Sequence, residues 1–385
     1  MIIGAGPAGL VLAHLLQQQG IESLVLERHT RDYVEHRLRA GVLEQTTVDL
    51  LNASGVGERM RELGLVHNGF SFQFEGERHR IALSDLTGGR AITVYGQHEV
   101  VKDLIVARLA AGGEIVFEAQ DVTLHNVDGD RPNVRYSVND AAHDVSCDFI
   151  AGCDGFHGPS RQSIPSGALR IYEKSYPFAW LGILAASPPA THELIYAHHE
   201  RGFALNSMRS PELSRLYVQC SPDDSLDAWS DDRIWTELRA RLATNDGWAP
   251  AEGPILERGI TTMRSFVAEP MQWGRVYLAG DSAHVVPPTG AKGMNLAVAD
   301  ARALADALEG WYRTRSDRDL RNYSVFCLRR VWRAEHFSWW MTSMLHKFDD
   351  DPFQHRLQLS QLRYVCSSEA AATSLAENYV GLAQV

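Results

Sequence analysis

The chain opens on a glycine-rich turn whose spacing is typical of nucleotide binding. In IIGAGPAGL, Gly4, Gly6 and Gly9 fit G-x-G-x-x-G between a short strand and a helix. The first glycine permits a tight turn, the second lets a pyrophosphate approach the backbone, and the third allows close helix packing. The N–H groups at the helix start favour that anion. Glu27, which ends the next strand, is placed to bind a ribose and would repel a 2′-phosphate, so the turn predicts FAD or NAD.

A second strand, turn and helix start follow late in the chain, in YLAGDSAHVVPPTGAKGMNLA. Asp281 ends the strand and can accept hydrogen bonds from a ribityl chain. Gly290 to Asn295 begins a helix whose positive end favours a flavin ring that becomes anionic on reduction. FAD is longer than one mononucleotide fold can hold, so the second turn favours FAD as the bound cofactor.

A strand in GFALNSMRS brings a serine and an arginine onto one face, because strand residues two apart point the same way. The residues on that face are Phe203, Leu205, Ser207 and Arg209. A guanidinium fork suits a carboxylate, and a hydroxyl adds one donor. The next strand, SRLYVQC, carries Arg215 and Tyr217 on a shared face. Taken alone, strand arginines are usually solvated, so the residues by themselves leave both interpretations open.

The elements around these residues change type along the chain. A strand to Ile3, a helix from about Pro7 to Gln19 and a strand in IESLVLE form a β-α-β unit, which predicts a parallel sheet. HEVVKDLIVARLAAGG predicts another helix. Its predicted buried stripe is Val101, Leu104, Ile105 and Leu109. From about Tyr172, short alternating segments predict antiparallel strands, and after Gly293 the pattern is helical.

These elements predict an α/β protein with a Rossmann-like FAD-binding domain, an inserted antiparallel β substrate domain and C-terminal helices. The predicted bounds are 1–171 for the FAD-binding domain, completed by 268–300. The substrate domain is expected over 172–267, and a helical or interface region over 301–385.

Composition limits the partners. With 385 residues the chain is long enough for two or three domains. The net charge of −11 argues against nucleic acid or an anionic membrane as a partner. Five cysteines without a C-x-x-C pair favour reduced thiols in a cytoplasmic protein. The histidine pair His198–His199 lacks spaced cysteine or carboxylate partners, so we expect no metal site.

Long motifs connect the chain to a known family. CDGFHGPSR (Cys153–Arg161) resembles the middle fingerprint of single-component class A FAD-dependent aromatic hydroxylases, where the Asp-Gly pair serves flavin and pyridine nucleotide. RAGVLEQ, VYGQHEV, ELIYAHHERGFAL, HVVPPTGAKGMNLA, FSWWMTSMLH and AENYVGL are similar to members that act on 4-hydroxybenzoate. The chain begins several residues later than the family does, so we expect a short first strand.

The resemblance implies roles for the polar strand face. The positions that match Ser207, Arg209 and Tyr217 hold a benzoate carboxylate in the family. The position that matches Arg215 steadies the flavin. Pro288 matches the residue whose carbonyl accepts from the substrate's phenolic hydroxyl.

The resemblance also implies a proton chain. Tyr196 matches the partner of the substrate phenol, Tyr379 the next tyrosine, and His67 the solvent-side end of the chain. Taken alone, the tyrosines would be ordinary half-buried side chains and His67 a loop histidine. Their spacing shows no relay.

One Rossmann fingerprint, taken by FAD, implies that NADPH binds only transiently in a groove. The expected FAD contacts are Gly4, Gly6, Gly9, Glu27, Arg39, Gln97, Arg215, Asp281, Thr289, Lys292 and Asn295. The expected NADPH contacts are Arg28, Tyr33, Arg37, Arg39 and His157.

The function that the resemblance implies is hydroxylation of 4-hydroxybenzoate at C3, giving 3,4-dihydroxybenzoate, with NADPH and O2, in a homodimer. One alternative is the same chemistry on a related hydroxy- or aminobenzoate. A second, from another class, is a flavin-binding sensor without turnover.

Overall fold

The structure is a computed structural model that describes residues 1–37 and 41–381. In that part the strands are β1 (Ile2–Ile3), β2 (Leu24–Leu26), β3 (Val42–Leu43), β4 (Leu65–His67), β5 (Phe70–Phe74), β6 (Glu77–Ile81), β7 (Ile92–Val94), β8 (Glu114–Val116), β9 (Gln120–His125), β10 (Asn133–Val138), β11 (Ala141–Ser146), β12 (Ile150–Gly152), β13 (Arg170–Ala185), β14 (Leu194–Ala197), β15 (Ala204–Ser210), β16 (Leu213–Cys220), β17 (Ile255–Glu269), β18 (Gln272–Trp273), β19 (Val276–Leu278) and β20 (His284–Val285). The helices are α1 (Pro7–Gln18), α2 (Arg31–His36), α3 (Gln45–Ala53), α4 (Glu58–Leu63), α5 (Leu83–Leu86), α6 (Gln97–Ala110), α7 (Pro159–Gln162), α8 (Asp231–Leu242), α9 (Gly293–Thr314), α10 (Arg318–Leu345), α11 (Pro352–Ser367) and α12 (Glu369–Val380).

A six-stranded sheet forms the nucleotide-binding part, in the order β18-β19-β12-β1-β2-β8. Its neighbouring strands are parallel except for β18 and β19. α1 connects β1 to β2 and packs against α6 and α9. α1 is buried almost continuously from Ala8 to Leu16 because it has neighbours on both sides. The short first strand, the β-α-β unit and the parallel sheet are confirmed.

The predicted stripe of α6 is right at three positions and wrong at one. Val101, Leu104 and Ile105 are buried, whereas Leu109 is 39% exposed. Arg108 is buried beside it, because its guanidinium donates to the carbonyl oxygens of Ala13 and Ser23. A buried arginine whose two terminal guanidinium nitrogens are hydrogen-bonded therefore occupies the position that apolar periodicity gives to leucine.

The second large sheet has eight strands in the order β20-β17-β13-β16-β15-β14-β5-β6. Its pairs are antiparallel except for β14 and β5, which are parallel. The inserted β sheet is confirmed, with additions that the sequence did not predict. β5 and β6 come from residues 70–81 and β20 from residues 284–285, so the sheet extends beyond strands of 172–267.

The two faces of this sheet are covered by different helices. Leu181, Leu216 and Val218 point to one face and pack on α8. Tyr196, Phe203 and the rings of β5 point to the other face, where they meet α10, α11 and α12. The polar face predicted for β15 and β16 is therefore the one that the C-terminal helices cover.

The C-terminal part is helical, as predicted. α10 runs for 28 residues, and α12 returns to pack on α5. This return brings Tyr379 to within 4.7 Å of Phe70, measured between ring centroids. Across the described ranges, no helix combines the length and the apolarity that crossing a membrane would require.

Candidate active site

The first glycine turn has the geometry of a phosphate-binding loop. Gly4 has a φ of 103°, and a Cβ there would collide with the carbonyl group of Cys153. A Cβ at Gly9 would collide with the carbonyl oxygen of Gly4, because α1 starts directly against β1. A Cβ at Gly6 would meet nothing within 4 Å, and the start of α1 has no side-chain cap. Uncapped N–H groups that face open space suit a pyrophosphate.

Glu27 lies against this turn. Its Oε2 accepts from the backbone N–H of Ala5 at 2.9 Å, and its Oε1 accepts from that of His29 at 2.9 Å. The side chain is buried. Each carboxylate oxygen retains a further acceptor site, so the residue can still receive a ribose hydroxyl.

Asp154, in the middle fingerprint, keeps an unused acceptor beside the turn. Its Oδ2 accepts from the backbone N–H of Ser160 at 2.8 Å, whereas Oδ1 is buried and has no hydrogen-bond partner among the described residues. Burial raises the pKa of this carboxyl, and the hydrogen bond from Ser160 acts in the opposite direction. Gly155 follows with a φ of 73°, and a Cβ there would meet nothing within 4 Å. A buried acceptor that lies next to open space can receive a hydrogen bond from a ligand.

Arg161 joins this fingerprint to the late turn. Its Nη1 donates to the carbonyl oxygen of Ser282 at 2.7 Å and its Nη2 to that of Phe156 at 2.6 Å. Ser282 Oγ donates to the carbonyl oxygen of Gly152 at 2.5 Å. Asp281, between these anchored groups, is exposed. These hydrogen bonds hold the backbone around Asp281 in a fixed position next to the parallel sheet. A carboxylate that binds a ligand needs such a fixed backbone.

A buried ion pair holds the same turn from α9. His284 Nε2 lies 2.6 Å from Asp300 Oδ2, and both side chains are at most 1% exposed. The backbone N–H of Gly280 donates to the same oxygen at 3.1 Å. Burial by itself lowers the pKa of His284, but the attraction and hydrogen bond of Asp300 outweigh it, so the pKa is raised. The ion pair therefore favours the cationic form of His284.

The start of α9 is open in the same way as the start of α1. It has no side-chain cap, and a Cβ at Gly293 would meet nothing within 4 Å. Pro288 is exposed, and its carbonyl oxygen accepts from the backbone N–H of Ala291 at 2.9 Å, which leaves one lone pair for a ligand. Thr289 is buried, with its Oγ1 2.9 Å from that of Thr342.

Lys292 and Asn295, expected along the flavin edge, direct their side-chain polar groups into the protein. Lys292 Nζ donates to Glu44 Oε1 and to the carbonyl oxygen of Asn378. Burial lowers the pKa of Lys292, and the attraction to Glu44 opposes this. Asn295 Oδ1 accepts from the N–H of Glu44 at 2.9 Å and from Thr47 Oγ1 at 2.8 Å. The open N–H groups of α9, rather than these side chains, are free to meet a ligand.

The polar strand face is confirmed by the register. Tyr196 pairs with Leu205, which pairs with Tyr217, and Ser207 pairs with Arg215, so all five side chains point to one face. The register shifts between Met208 and Ser210, so Arg209 lies at an irregularity of β15, but its Nη1 still reaches Ser207 Oγ at 3.4 Å.

Arg209 is a cation without an acidic partner. Its Nη1 donates to Ser207 Oγ at 3.4 Å, and within the described ranges no carboxylate lies within 4.0 Å of it. Arg215 instead lies 3.6 Å from Glu257 and donates to Tyr217 Oη at 3.3 Å. Desolvation lowers the pKa of Arg209. An underpaired guanidinium at a half-buried site favours an anionic ligand.

Tyr196 and Tyr379 form a buried hydrogen-bonded pair with 2.5 Å between their hydroxyl oxygens. Burial raises the pKa of both hydroxyls. His67, expected at the solvent-side end of the proton chain, is 1% exposed where β4 pairs with β7. Neither ring nitrogen of His67 has a partner among the described residues. Burial lowers its pKa to about 4, so the ring is neutral near pH 7.

The expected NADPH contacts lie partly in one exposed segment. Tyr33 stacks on His29 with 4.2 Å between ring centroids, and the guanidinium of Arg37 is 5.6 Å from the Tyr33 ring. Arg28 Nε donates to the ring of His29 at 3.0 Å. His157 is exposed in the middle fingerprint. Arg39, named for both cofactors, lies outside the described residues, and Gln97 is half-buried at the first position of α6.

Residues 1–338 match a family model described as "FAD binding domain". A p-hydroxybenzoate hydroxylase from Acinetobacter baylyi is 49% identical over 99% of this chain and 94% of its own length. The chain belongs to the FAD-dependent aromatic hydroxylase family. The family's FAD fits the residues described above, since open glycines and an unpartnered Asp154 oxygen surround the two helix starts.

More distant relatives share the fold. A protein from Rhodococcus jostii, described as a probable NADH-specific resorcinol 4-hydroxylase, is 27% identical over 80% of this chain and 58% of its own length. The crystal structure of a p-nitrophenol 4-monooxygenase from Pseudomonas putida superimposes with a TM-score of 0.86, covering 99% of this chain and 98% of that one at 20% identity. The α/β fold of this family is thus shared along the whole chain.

Four residues of this hydroxylase's site were not assigned roles from the sequence: Glu44, Arg161, His284 and Asp300. A signal for one of them was present. Asp300 stands in the apolar stripe of NLAVADARALADAL, where a carboxylate is costly unless it is paired. The partner of such a carboxylate cannot be found by helical spacing, because His284 lies on a different element.

Proposed function

We propose that the protein hydroxylates 4-hydroxybenzoate at C3 to give 3,4-dihydroxybenzoate, using FAD, NADPH and O2. The observation that carries the proposal is the shared face of β14, β15 and β16. It presents a cation without an acidic partner, Arg209, and a hydrogen-bonded tyrosine, Tyr196. Tyr196 pairs with Leu205, and Leu205 is two residues from Ser207 along β15. The two polar positions are therefore about 7 Å apart along the strand, which suits a para-substituted benzene ring.

The carboxylate end of the substrate is held by the cation. Arg209 binds it through the guanidinium fork, and Ser207 adds a hydroxyl donor. Tyr217, on the neighbouring strand β16, borders the carboxylate end of the substrate. Gly182 pairs with Tyr217 and leaves room there, since a Cβ at this glycine would lie 3.1 Å from the tyrosine ring.

The phenol end is activated by the tyrosine pair. The substrate hydroxyl donates to Tyr196 while Tyr196 donates to Tyr379, so the proton is passed along rather than held. Because the pKa of both tyrosines is raised, neither serves as a lasting proton acceptor. His67 is proposed to relay the proton at the end of the chain, since its ring is neutral and has unpartnered nitrogens; with a pKa of about 4 it does not hold the proton, which passes on to water. Ionised phenol is the better nucleophile toward an electrophilic oxygen.

The cofactor is held by the two helix starts. The N–H groups of α1 face the pyrophosphate, Glu27 a ribose and Asp281 the ribityl chain, while the start of α9 and Pro288 border the ring. Arg215 and Gln97 complete the expected contacts. FAD supplies the electron transfer and the oxygen activation, and the chain orients the substrate and moves its proton.

NADPH is the proposed reductant. It binds transiently at the segment of Arg28, Tyr33 and Arg37, with Arg39 and His157 as further contacts. The proposed assembly is a cytoplasmic homodimer without nucleic-acid partners.

Product identification tests the function. The FAD-loaded protein is incubated with NADPH, O2 and 4-hydroxybenzoate, and the products are separated by chromatography. We expect 3,4-dihydroxybenzoate in proportion to the NADPH consumed. Conversion of an aminobenzoate in preference to 4-hydroxybenzoate would show a different substrate, and flavin binding without substrate-stimulated NADPH oxidation would indicate a sensor.

A further inference from the structure

A cavity of ≈ 320 Å³ lies between α10 and the paired strands β13 and β17. It is separate from the proposed active site, since none of the residues assigned to substrate, FAD or NADPH lines it. Tyr172 pairs with Val267, and Lys174 pairs with Ser265, on the side of the strands that faces α10. Phe266 lies between Ser265 and Val267, and its ring meets Phe156 of the middle fingerprint at 5.0 Å.

Among the polar residues that line the cavity, Glu335 is the buried carboxylate. Its side chain is 5% exposed, and its Oε1 has no hydrogen-bond partner among the described residues. It forms no ion pair there either. Burial raises the pKa of Glu335 to about 7, while hydrogen bonding from Ser265 and the charge of His284 pull it down. A buried carboxyl with an unused oxygen needs a donor, and the cavity provides space for one.

The walls of the cavity are aromatic. Trp332 and Tyr172 meet edge to face with 5.2 Å between ring centroids, and Trp339 lies about two helical turns further along α10. Trp332 and Trp339 are 40% and 41% exposed, so the cavity opens beside them. Ring faces attract cations, and Lys174 already places its ammonium 5.5 Å from the Tyr176 ring at the edge of the cavity.

The charges at the mouth are matched within the protein. Glu173 lies 3.8 Å from Arg264, and Lys174 rests on Tyr176. Among the described residues Glu335 has no ion-pair partner within 4.0 Å, although the charge of His284 acts on it. An anionic ligand would be repelled by it, and a purely apolar ligand would leave its oxygen unpaired.

We propose that this cavity binds a small aromatic amine in its ammonium form, with the ammonium on Glu335 and the ring between Trp332 and Trp339. The site is additional to the proposed hydroxylation site and does not depend on the substrate of that reaction. The ring of such a ligand fills the apolar part of the cavity, and its N–H groups satisfy Glu335 Oε1.

Calorimetric titration of the FAD-loaded protein with benzylamine tests the proposal, with benzyl alcohol as the neutral probe of similar shape. We expect saturable binding of benzylamine and binding of benzyl alcohol that is about tenfold to a hundredfold weaker, because the alcohol can still donate a hydrogen bond to Glu335 but carries no charge that pairs with the carboxylate. Arg209→Ala should leave benzylamine binding unchanged, since it alters only the proposed active site. Absence of saturable binding, or equal affinity for the two probes, would overturn the proposal.

Two variants localise the ligand. Glu335→Gln keeps the shape of the side chain and should weaken benzylamine binding about tenfold or more. Glu173→Gln, at the mouth and already paired with Arg264, is the matched control and should change it little. Trp339→Ala, at a part-exposed position, should also weaken binding. Unchanged binding in Glu335→Gln with normal flavin content would refute the assignment. If Glu335→Gln loses its flavin, unchanged binding in Trp339→Ala would refute it.

Discussion

The hydroxyl oxygen of Tyr196 lies 2.5 Å from that of Tyr379, in a pair joined across 183 positions of the chain. The pair forms because α12 returns across β14 and places Tyr379 against Phe70. Each hydroxyl has one proton to donate, so only one of the two can donate to the other. The other hydroxyl must therefore find a partner outside the pair. In the proposed function Tyr196 meets the substrate and Tyr379 continues to His67.

Removing the hydroxyl of Tyr196 should uncouple oxygen use from hydroxylation. Tyr196→Phe keeps the ring but removes one charge-assisted hydrogen bond to the ionised substrate, worth ~1.5–3 kcal/mol. The pKa of the bound phenol should rise by about one to two units. NADPH should still be consumed in the presence of 4-hydroxybenzoate, with hydrogen peroxide released instead of 3,4-dihydroxybenzoate. Peroxide and product are measured per NADPH.

The control for this variant is Tyr364→Phe, at a position that is 58% exposed. It should behave as the unchanged protein. Full coupling in Tyr196→Phe would mean that this tyrosine does not activate the phenol.

Truncating Arg209 should abolish tight substrate binding. Arg209→Ala leaves the bound carboxylate without its cation, at a cost of ~2–5 kcal/mol. Binding is followed by the change in flavin absorbance during titration with 4-hydroxybenzoate. FAD content should be unchanged. Arg239→Ala, which removes an exposed arginine paired with Glu252, is the control, and normal binding in both variants would exclude the carboxylate clamp.

Local sequence patterns were sufficient to predict the fold of the nucleotide-binding part. The turn of Gly4, Gly6 and Gly9 is built from neighbouring residues, and its steric requirements can be recognised in the sequence. β5 and β6 were missed because FSFQF is short and its pairing with β14 is parallel and distant. Pairing between remote strands depends on the whole sheet rather than on local alternation.

The proposed site could be predicted by residue type more readily than by environment. The strand face of Ser207 follows from a period of two and the register confirms it, whereas at Arg209 the register shifts and only the contact with Ser207 places the side chain. The burial of His67 could not be read from GLVHNGF, because it depends on how β4 pairs with β7. The side chains of Lys292 and Asn295 face Glu44 for a similar reason, since that contact joins positions about 250 residues apart.

The reductant should be NADPH rather than NADH. The exposed arginines Arg28 and Arg37 can pair with a 2′-phosphate, which NADH lacks. The ratio kcat/KM should therefore be higher for NADPH, and Arg37→Ala should raise KM for NADPH more than KM for NADH. Arg31→Ala, at the start of the helix that Arg37 follows, is the control, because Arg31 is paired with Glu35 at 2.6 Å. Equal kcat/KM for the two nucleotides in the unchanged protein would remove this proposal.

The ion pair of His284 and Asp300 should stabilise the fold in a pH-dependent way. Asp300→Asn keeps the size of the side chain but removes the charge that balances a buried imidazolium, so the free energy of unfolding should fall by ~3–5 kcal/mol near pH 6. Urea unfolding of the FAD-loaded protein measures it. The control is Asp306→Asn on the same helix, which breaks an exposed pair with Arg302 and should cost at most ~1 kcal/mol.

The sign of the pH dependence follows from the raised pKa of His284. A group whose pKa is higher in the folded state binds more protons there, so its stabilisation is fully present below the unfolded value of about 6.5. That stabilisation is lost as the pH rises through the folded value. The difference in unfolding free energy between the unchanged protein and Asp300→Asn should therefore be largest near pH 6 and should shrink as the pH increases. A difference that grows with pH would show that His284 is not held as the cation, and that Asp300 acts there only through the N–H of Gly280.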